Sequence, residues 1–188
     1  MNRREALTAI GLWMGCTVVG AEAFQAGSAP RLSQDKPAFT AADLALLDEV
    51  GETILPATPT SPGARAAAIG AFMQTMVRDC YDKKSQDTFV AGLARLKQTS
   101  RQVYGKDFMA LSPGDRHALV VKLDEEAKQH QKSKKEEEPH HYFTLIKQLT
   151  LLGYFTSEPG ATQALRYMPV PGRFEGCVPY KKGEKAWA

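Results

Sequence analysis

The sequence predicts an all-α protein, a single helical domain of about five to six helices with an irregular, aromatic-bearing C-terminal tail. Three observations carry this expectation. Apolar residues recur at helical spacing through most of residues 39–166. Several of those segments open on a capping residue or on proline at the first helical position. Neither strand pairs nor repeats of solenoid period accompany them.

The first 23 residues read differently. Arg3 and Arg4 precede an apolar run from Ala9 to Ala23, which closes on Ala21-Glu22-Ala23. A basic start, a short apolar stretch and a small-residue exit describe an export signal, with Ala21 and Ala23 framing the cleavage site. Paired arginines point to the twin-arginine route, which moves proteins already folded. The run is short, and Gly11, Gly15 and Gly20 interrupt it, so it is not read as a membrane span. Met14-Gly15-Cys16 resembles a lipoprotein cysteine, but Trp13 fits the upstream position poorly and the apolar run would be very short. Cys16 therefore reads as an apolar residue inside the signal.

Residues 24–38 form a polar linker with Pro30 and Pro37. In the first helix Thr40 is the N-cap and Asp43, three residues on, completes a near capping box. Phe39 and Leu44 are placed to close over it as a hydrophobic staple. Leu44, Leu47, Val50 and Ile54 supply the apolar face, and Pro56 stops the helix. Pro56, Pro59 and Pro62 stiffen the loop that follows, and Ser61-Pro62 is expected to cap and open the second helix. Ile69, Phe72, Met73, Met76, Val77 and Cys80 give that helix the clearest period in the chain, and the stripe reads as core.

A third helix is expected from about Ser85 to Tyr104, with Phe89, Leu93, Leu96, Val103 and Tyr104 on one side. Ser112-Pro113-Gly114-Asp115 opens a fourth, which carries Leu119, Val120, Leu123 and Ala127. Residues 128–138 are almost wholly polar or charged and cannot bury a face, so they read as a solvated helix end or a loop. The fifth helix spans about His140 to Leu152, with Tyr142, Leu145, Ile146 and Leu149 inward. A short helix is expected near Ala161–Arg166. The tail, residues 167–188, loses all periodicity yet keeps Tyr167, Phe174, Tyr180 and Trp187, which suits a segment lying on a surface.

Removing the signal leaves roughly 165 residues, enough for one core. Arg3 and Arg4 are offset by Glu5 and Glu22, so the mature chain keeps the formal charge of +3. That is too mild, and its basic residues too interleaved with acids, for nucleic acid as a partner. Cys80 and Cys177 survive processing into an oxidising compartment.

Catalytic patterns are absent. The chain lacks a Cys-x-x-Cys-His haem attachment, a dinucleotide or phosphate loop, and a metalloprotease helix. Of the histidines His117, His130, His140 and His141, the adjacent pair would point about 100 degrees apart on a helix, which suits one metal poorly. Solvated or capping roles fit them better. No catalytic, cofactor-binding or metal-ligating residue is therefore assigned to this chain, and an exported helical domain without a catalytic set reads as a helper subunit.

The residues also resemble a known family. Leu46-Leu47-Asp48-Glu49-Val50 through Ile54-Leu55-Pro56, then Ser61-Pro62-Gly63-Ala64, His141-Tyr142-Phe143 and Leu149-Thr150-Leu151-Leu152-Gly153-Tyr154-Phe155-Thr156-Ser157 are similar to the gluconate 2-dehydrogenase subunit 3 family. Residues 171–180, from Pro171-Gly172-Arg173 to Pro179-Tyr180, extend the likeness. The leader departs from the family's usual one at Ala6 and Thr8, where phenylalanine and lysine are common.

The resemblance implies the non-catalytic small, or gamma, subunit of a membrane-associated sugar, polyol or glycoside dehydrogenase in the periplasm. FAD would sit in a partner catalytic subunit of glucose–methanol–choline type, and haem c in a third, cytochrome subunit. The small subunit would help the catalytic one mature and carry it through the twin-arginine translocase, which reads Arg3 and Arg4. Phe174, Cys177, Tyr180 and Trp187 in the tail are the expected partner contacts, because aromatics dominate interfaces. Cys177 has three open outcomes: a bond to the partner, a bond to Cys80, or a free thiol. The alternatives to the whole reading are an exported helical binding module with an unrelated partner, and a stand-alone periplasmic metal protein using His140 or His141.

Overall fold

Helix α1 (Ala41–Ile54) begins where the sequence places it. The Thr40 hydroxyl accepts from the Asp43 N–H, and the Asp43 carboxylate accepts from the Thr40 N–H at 2.9 Å, a complete capping box. The computed structural model describes residues 37–170, 172–173, 176–179 and 181–187. The expected signal with Arg3, Arg4, Cys16, Ala21 and Ala23, the linker up to residue 36, and Phe174 and Tyr180 lie outside the described residues. Within them the protein is all helical: five α-helices, two 3-10 turns and one π-helical turn, with two isolated bridges in place of any sheet.

Leu47 and Val50 are fully buried and Leu46 nearly so, while Leu44 and Ile54 are half-buried, so α1 is enclosed on more than one side. Phe39 ahead of it packs edge-on against Phe89, with ring centroids 6.0 Å apart.

The next segment departs from expectation. Ser61-Pro62 does not open the second helix. The Ser61 backbone is held in a bridge with Thr58, a 3-10 turn occupies Ala64–Ala67, and α2 runs from Ile69 to Cys80. Two carboxylates on α1 explain the delay. Glu52 accepts from the Ala57 and Arg65 N–H groups at 3.1 and 2.9 Å, which folds the loop back on α1. Asp48 accepts from the Gly70 N–H at 2.7 Å, satisfying an orphan donor in the first turn of α2 from a neighbouring helix. Ala68, the last residue before α2, has φ 47° and separates the two helical pieces. Met73, Val77 and Ile69 are buried as the stripe requires, with Phe72 and Met76 half-buried against the core. Cys80 does not continue the stripe and is exposed.

Helix α3 (Lys83–Tyr104) starts two residues before the expected point, because Asp82 caps it by accepting from the Ser85 N–H at 2.8 Å. Phe89, Leu93 and Leu96 are buried; Val103 is half exposed and faces away from the core, contrary to expectation. Gly105, with φ 67°, ends the helix in the left-handed conformation common after helix ends. A 3-10 turn at Phe108–Ala110 sets Phe108 into the core before α4 (Pro113–Ser133) begins on its Ser112 cap. Leu119, Val120, Leu123 and Ala127 are buried as expected, and the charged continuation remains helical and largely exposed to Ser133.

Helix α5 (Tyr142–Thr156) is the centre of the domain. It packs against α1, α2, α3 and α4, burying Tyr142, Phe143, Leu145, Ile146, Leu149, Thr150, Gly153 and Tyr154. The Tyr154 hydroxyl donates to the Pro62 carbonyl, tying α5 to the loop after α1. The short helix expected near Ala161–Arg166 is a π-helical turn at Gly160–Ala164. A side chain at Gly160 would bring Cβ to 1.8 Å from the Tyr154 carbonyl oxygen, so only glycine allows the chain to double back so closely.

Candidate partner-binding surface

The large apolar side chains that the fold leaves exposed concentrate at the end of the chain. Leu152 and Phe155, three residues apart on α5, are 47% and 37% exposed; beyond them Tyr167, Met168, Val170, Val178 and Trp187 stand exposed. Val90, Val103, Met109 and Val121 are exposed elsewhere, as scattered apolar residues ordinarily are on a surface.

The tail is held at its base. The Arg166 N–H donates to the Ala186 carbonyl at 2.8 Å, and the two strands of chain form an isolated parallel bridge between Arg166 and Trp187. The Arg166 guanidinium lies 4.2 Å from the centroid of the Trp187 ring and 3.6 Å from the Glu184 carboxylate. Lys185 donates to the Gln163 carbonyl, which adds a tie to the π-helical turn. The chain therefore leaves at Arg166 and returns at Trp187, and the described residues between them (167–170, 172–173, 176–179 and 181–186) are exposed.

Of the tail residues expected to touch a partner, Cys177 is exposed, and Trp187 is half exposed with one ring face given to Arg166. Cys80 and Cys177 are both free thiols in this structure. Leu152, Phe155 and Arg166 escaped the sequence reading. A Leu-x-x-Phe pair at the end of an otherwise buried helix is indistinguishable from core by spacing alone.

A second feature lies at the far end of α5. Arg95 from α3, Lys122, Glu125, Glu126, Gln129 and His130 from α4, and His141 line an open recess of about 790 Å3. The His141 ring is 5.7 Å from His130 and 4.4 Å from Tyr142. His141 caps α5 and is half-buried, as a capping role requires, while His140 is turned to Gln131 at 3.1 Å. Burial raises the Tyr142 phenol to about 12. Among the described residues no group of three His, Cys, Asp or Glu side chains is arranged to hold a metal ion.

A third cluster is structural. Glu49, 8% exposed, pairs through one carboxylate oxygen with Arg65 and through the other with Arg116, which also donates to the Phe108 and Met109 carbonyls. It joins α1 to the 3-10 turns and to α4, and nothing in its spacing distinguishes it from a solvated acid.

Among the described residues no helix is long and apolar enough to cross a membrane. A family model described as gluconate 2-dehydrogenase subunit 3 matches residues 41–172, from the start of α1 into the tail. No curated protein and no solved structure matches the chain.

Proposed function

The chain belongs to the gluconate 2-dehydrogenase subunit 3 family, and from that premise we propose that it is the non-catalytic small subunit of a periplasmic, FAD-dependent sugar, polyol or glycoside dehydrogenase. The catalytic partner is a flavoprotein of glucose–methanol–choline type, and a cytochrome c subunit takes its electrons. This chain supports maturation of the flavoprotein and escorts it, folded, through the twin-arginine translocase by means of Arg3 and Arg4.

The observation that carries the reading is the family match, which runs through all five α-helices. One feature of the chain supports it. Its C-terminal stretch offers exposed apolar groups on a loop pinned at both ends, as a preorganised contact surface would. The loop, with Phe174, Cys177, Tyr180 and Trp187, is the proposed site of contact with the flavoprotein.

Co-expression with candidate flavoproteins, followed by recovery of a tagged form of this chain from the periplasm, tests the proposal. A yellow complex that oxidises a sugar or polyol with an artificial acceptor is expected, and Arg3→Lys with Arg4→Lys should leave both chains in the cytoplasm. A colourless chain recovered alone in every pairing would overturn the escort role.

A further inference from the structure

The helix on which the domain is built starts at a histidine. His141 is the N-cap of α5, and its Nδ1 accepts from the Phe143 N–H at 3.3 Å. A ring nitrogen that accepts an N–H carries no proton, so this cap exists only with a neutral imidazole protonated at Nε2. We infer that the His130–His141 corner is a proton-operated latch on the first turn of α5, closed while His141 is neutral and released when it gains a proton.

Geometry supplies the mechanism. Protonation at Nδ1 replaces the acceptor with a donor that faces another donor, the Phe143 N–H, so the ring must turn away and the first turn loses its cap. The surroundings resist that charge. His130 faces the ring from α4 at 5.7 Å, and Arg95 approaches from α3. Lys122, Glu125, Glu126 and Gln129 of α4 line the same recess, with Glu126 the acid that attracts a charge on His141. The Tyr142 ring of α5 lies tilted beside it at 4.4 Å and contributes no charge at neutral pH. Burial first, then His130 and Arg95, hold the His141 imidazole below its ordinary value, against the pull of Glu126.

His130 Nδ1 and the Tyr142 hydroxyl are buried without a hydrogen-bond partner. Tyr142 is seated against Gly92 of α3, so the latch governs how the start of α5 docks on α3. The inference stands on this geometry and is independent of the proposed function.

The test uses the full chain. Imidazole titration by NMR is combined with amide exchange at Phe143 and Thr144 from pH 8 to pH 5, corrected for the intrinsic pH dependence of exchange. His141 is expected to titrate below about 6.5, with opening of the first turn accelerating roughly fivefold in step with it, as loss of one cap implies. His141→Asn, which caps without titrating, should keep protection at pH 8 and remove the pH response. His130→Gln should keep the response and move its midpoint upward. Titration of His141 at or above the ordinary value would overturn the inference. So would unchanged protection of Phe143 through that titration, or an undiminished response in His141→Asn.

Discussion

The guanidinium of Arg166 lies 4.2 Å from the centroid of the Trp187 indole, and a backbone bridge joins the same two residues, 21 positions apart in the chain. A cation–π contact at such a partly exposed position contributes about 0.5–1 kcal/mol. It can therefore fasten a loop without supporting the core. Trp187→Ala is expected to speed amide exchange at Arg166 markedly while lowering the thermal midpoint by no more than about 4 °C. Exchange mass spectrometry and a melting curve on one sample check both halves; a collapse in melting temperature would make the tail part of the core.

Glu49 should matter far more than an ordinary surface acid. Removing one partner of a buried, paired charge costs about 3–5 kcal/mol, because the other charge is left in a poor solvent. Arg116 is 18% exposed and would be stranded, whereas Arg65 is 57% exposed and would rehydrate. Glu49→Gln is expected to lower stability by about 3 kcal/mol in urea unfolding, and Arg65→Ala by less than about 1 kcal/mol.

Acid stability follows from two carboxylates. Burial alone would raise the carboxyl of Asp43, but bonds from Lys97 and from Thr40 outweigh it and hold it below the ordinary range. Asp124 is likewise opposed by burial and held low by Lys128 and Lys147. Such groups bind a proton less readily folded than unfolded. Their contribution is complete above about pH 4 and is lost as pH falls through their folded values. Urea midpoints at pH 6 and pH 3 should differ less in Asp43→Asn, Asp124→Asn than in the parent.

Gly92 and Gly114 make a matched pair. An added Cβ at Gly92 would meet the Tyr142 Cβ at 2.1 Å, so Gly92→Ala must push α3 and α5 apart, costing about 1–3 kcal/mol. At Gly114, in the first turn of α4, the only neighbour within 4 Å is the Ser112 hydroxyl at 3.9 Å, and Gly114→Ala should gain about 0.4–1 kcal/mol. Denaturant unfolding of the two variants gives opposite signs.

Cys177 is expected to change state on assembly. In the isolated chain both Cys80 and Cys177 are exposed and should react with a thiol reagent. In the proposed complex with a flavoprotein, and in an oxidising compartment, Cys177 is expected to form a disulfide with a cysteine of the partner, seen as a heterodimer band on a non-reducing gel and abolished by Cys177→Ser but not Cys80→Ser. Peptide mapping that finds Cys177 bonded to Cys80, or free in the complex, would dismiss the link.

The helices were legible because their signals are local. Thr40 with Asp43, and Ser112 with Pro113, announce α1 and α4 through side chains that reach only their own first turn. The stripes Met73–Val77 and Leu119–Leu123 identify buried faces because a helical period needs no partner to be read. The start of α2 was not legible. Ser61-Pro62 carries the right local chemistry, but Asp48 and Glu52, distant in sequence, capture the backbone first. Cys80 and Val103 continue their stripes in sequence yet are exposed, since a period marks a face but not how far along it the neighbouring helices reach.

By itself, then, the sequence determined the all-α class, the order and faces of the helices and the family likeness, all of which rest on short-range patterns. Only the tertiary structure decided the dual pairing of Glu49, the meeting of His130 with His141, and the return of Trp187 to Arg166. Each joins residues whose spacing carries no period, and the cost of burying a charge or closing a loop is offset only by partners that folding brings near.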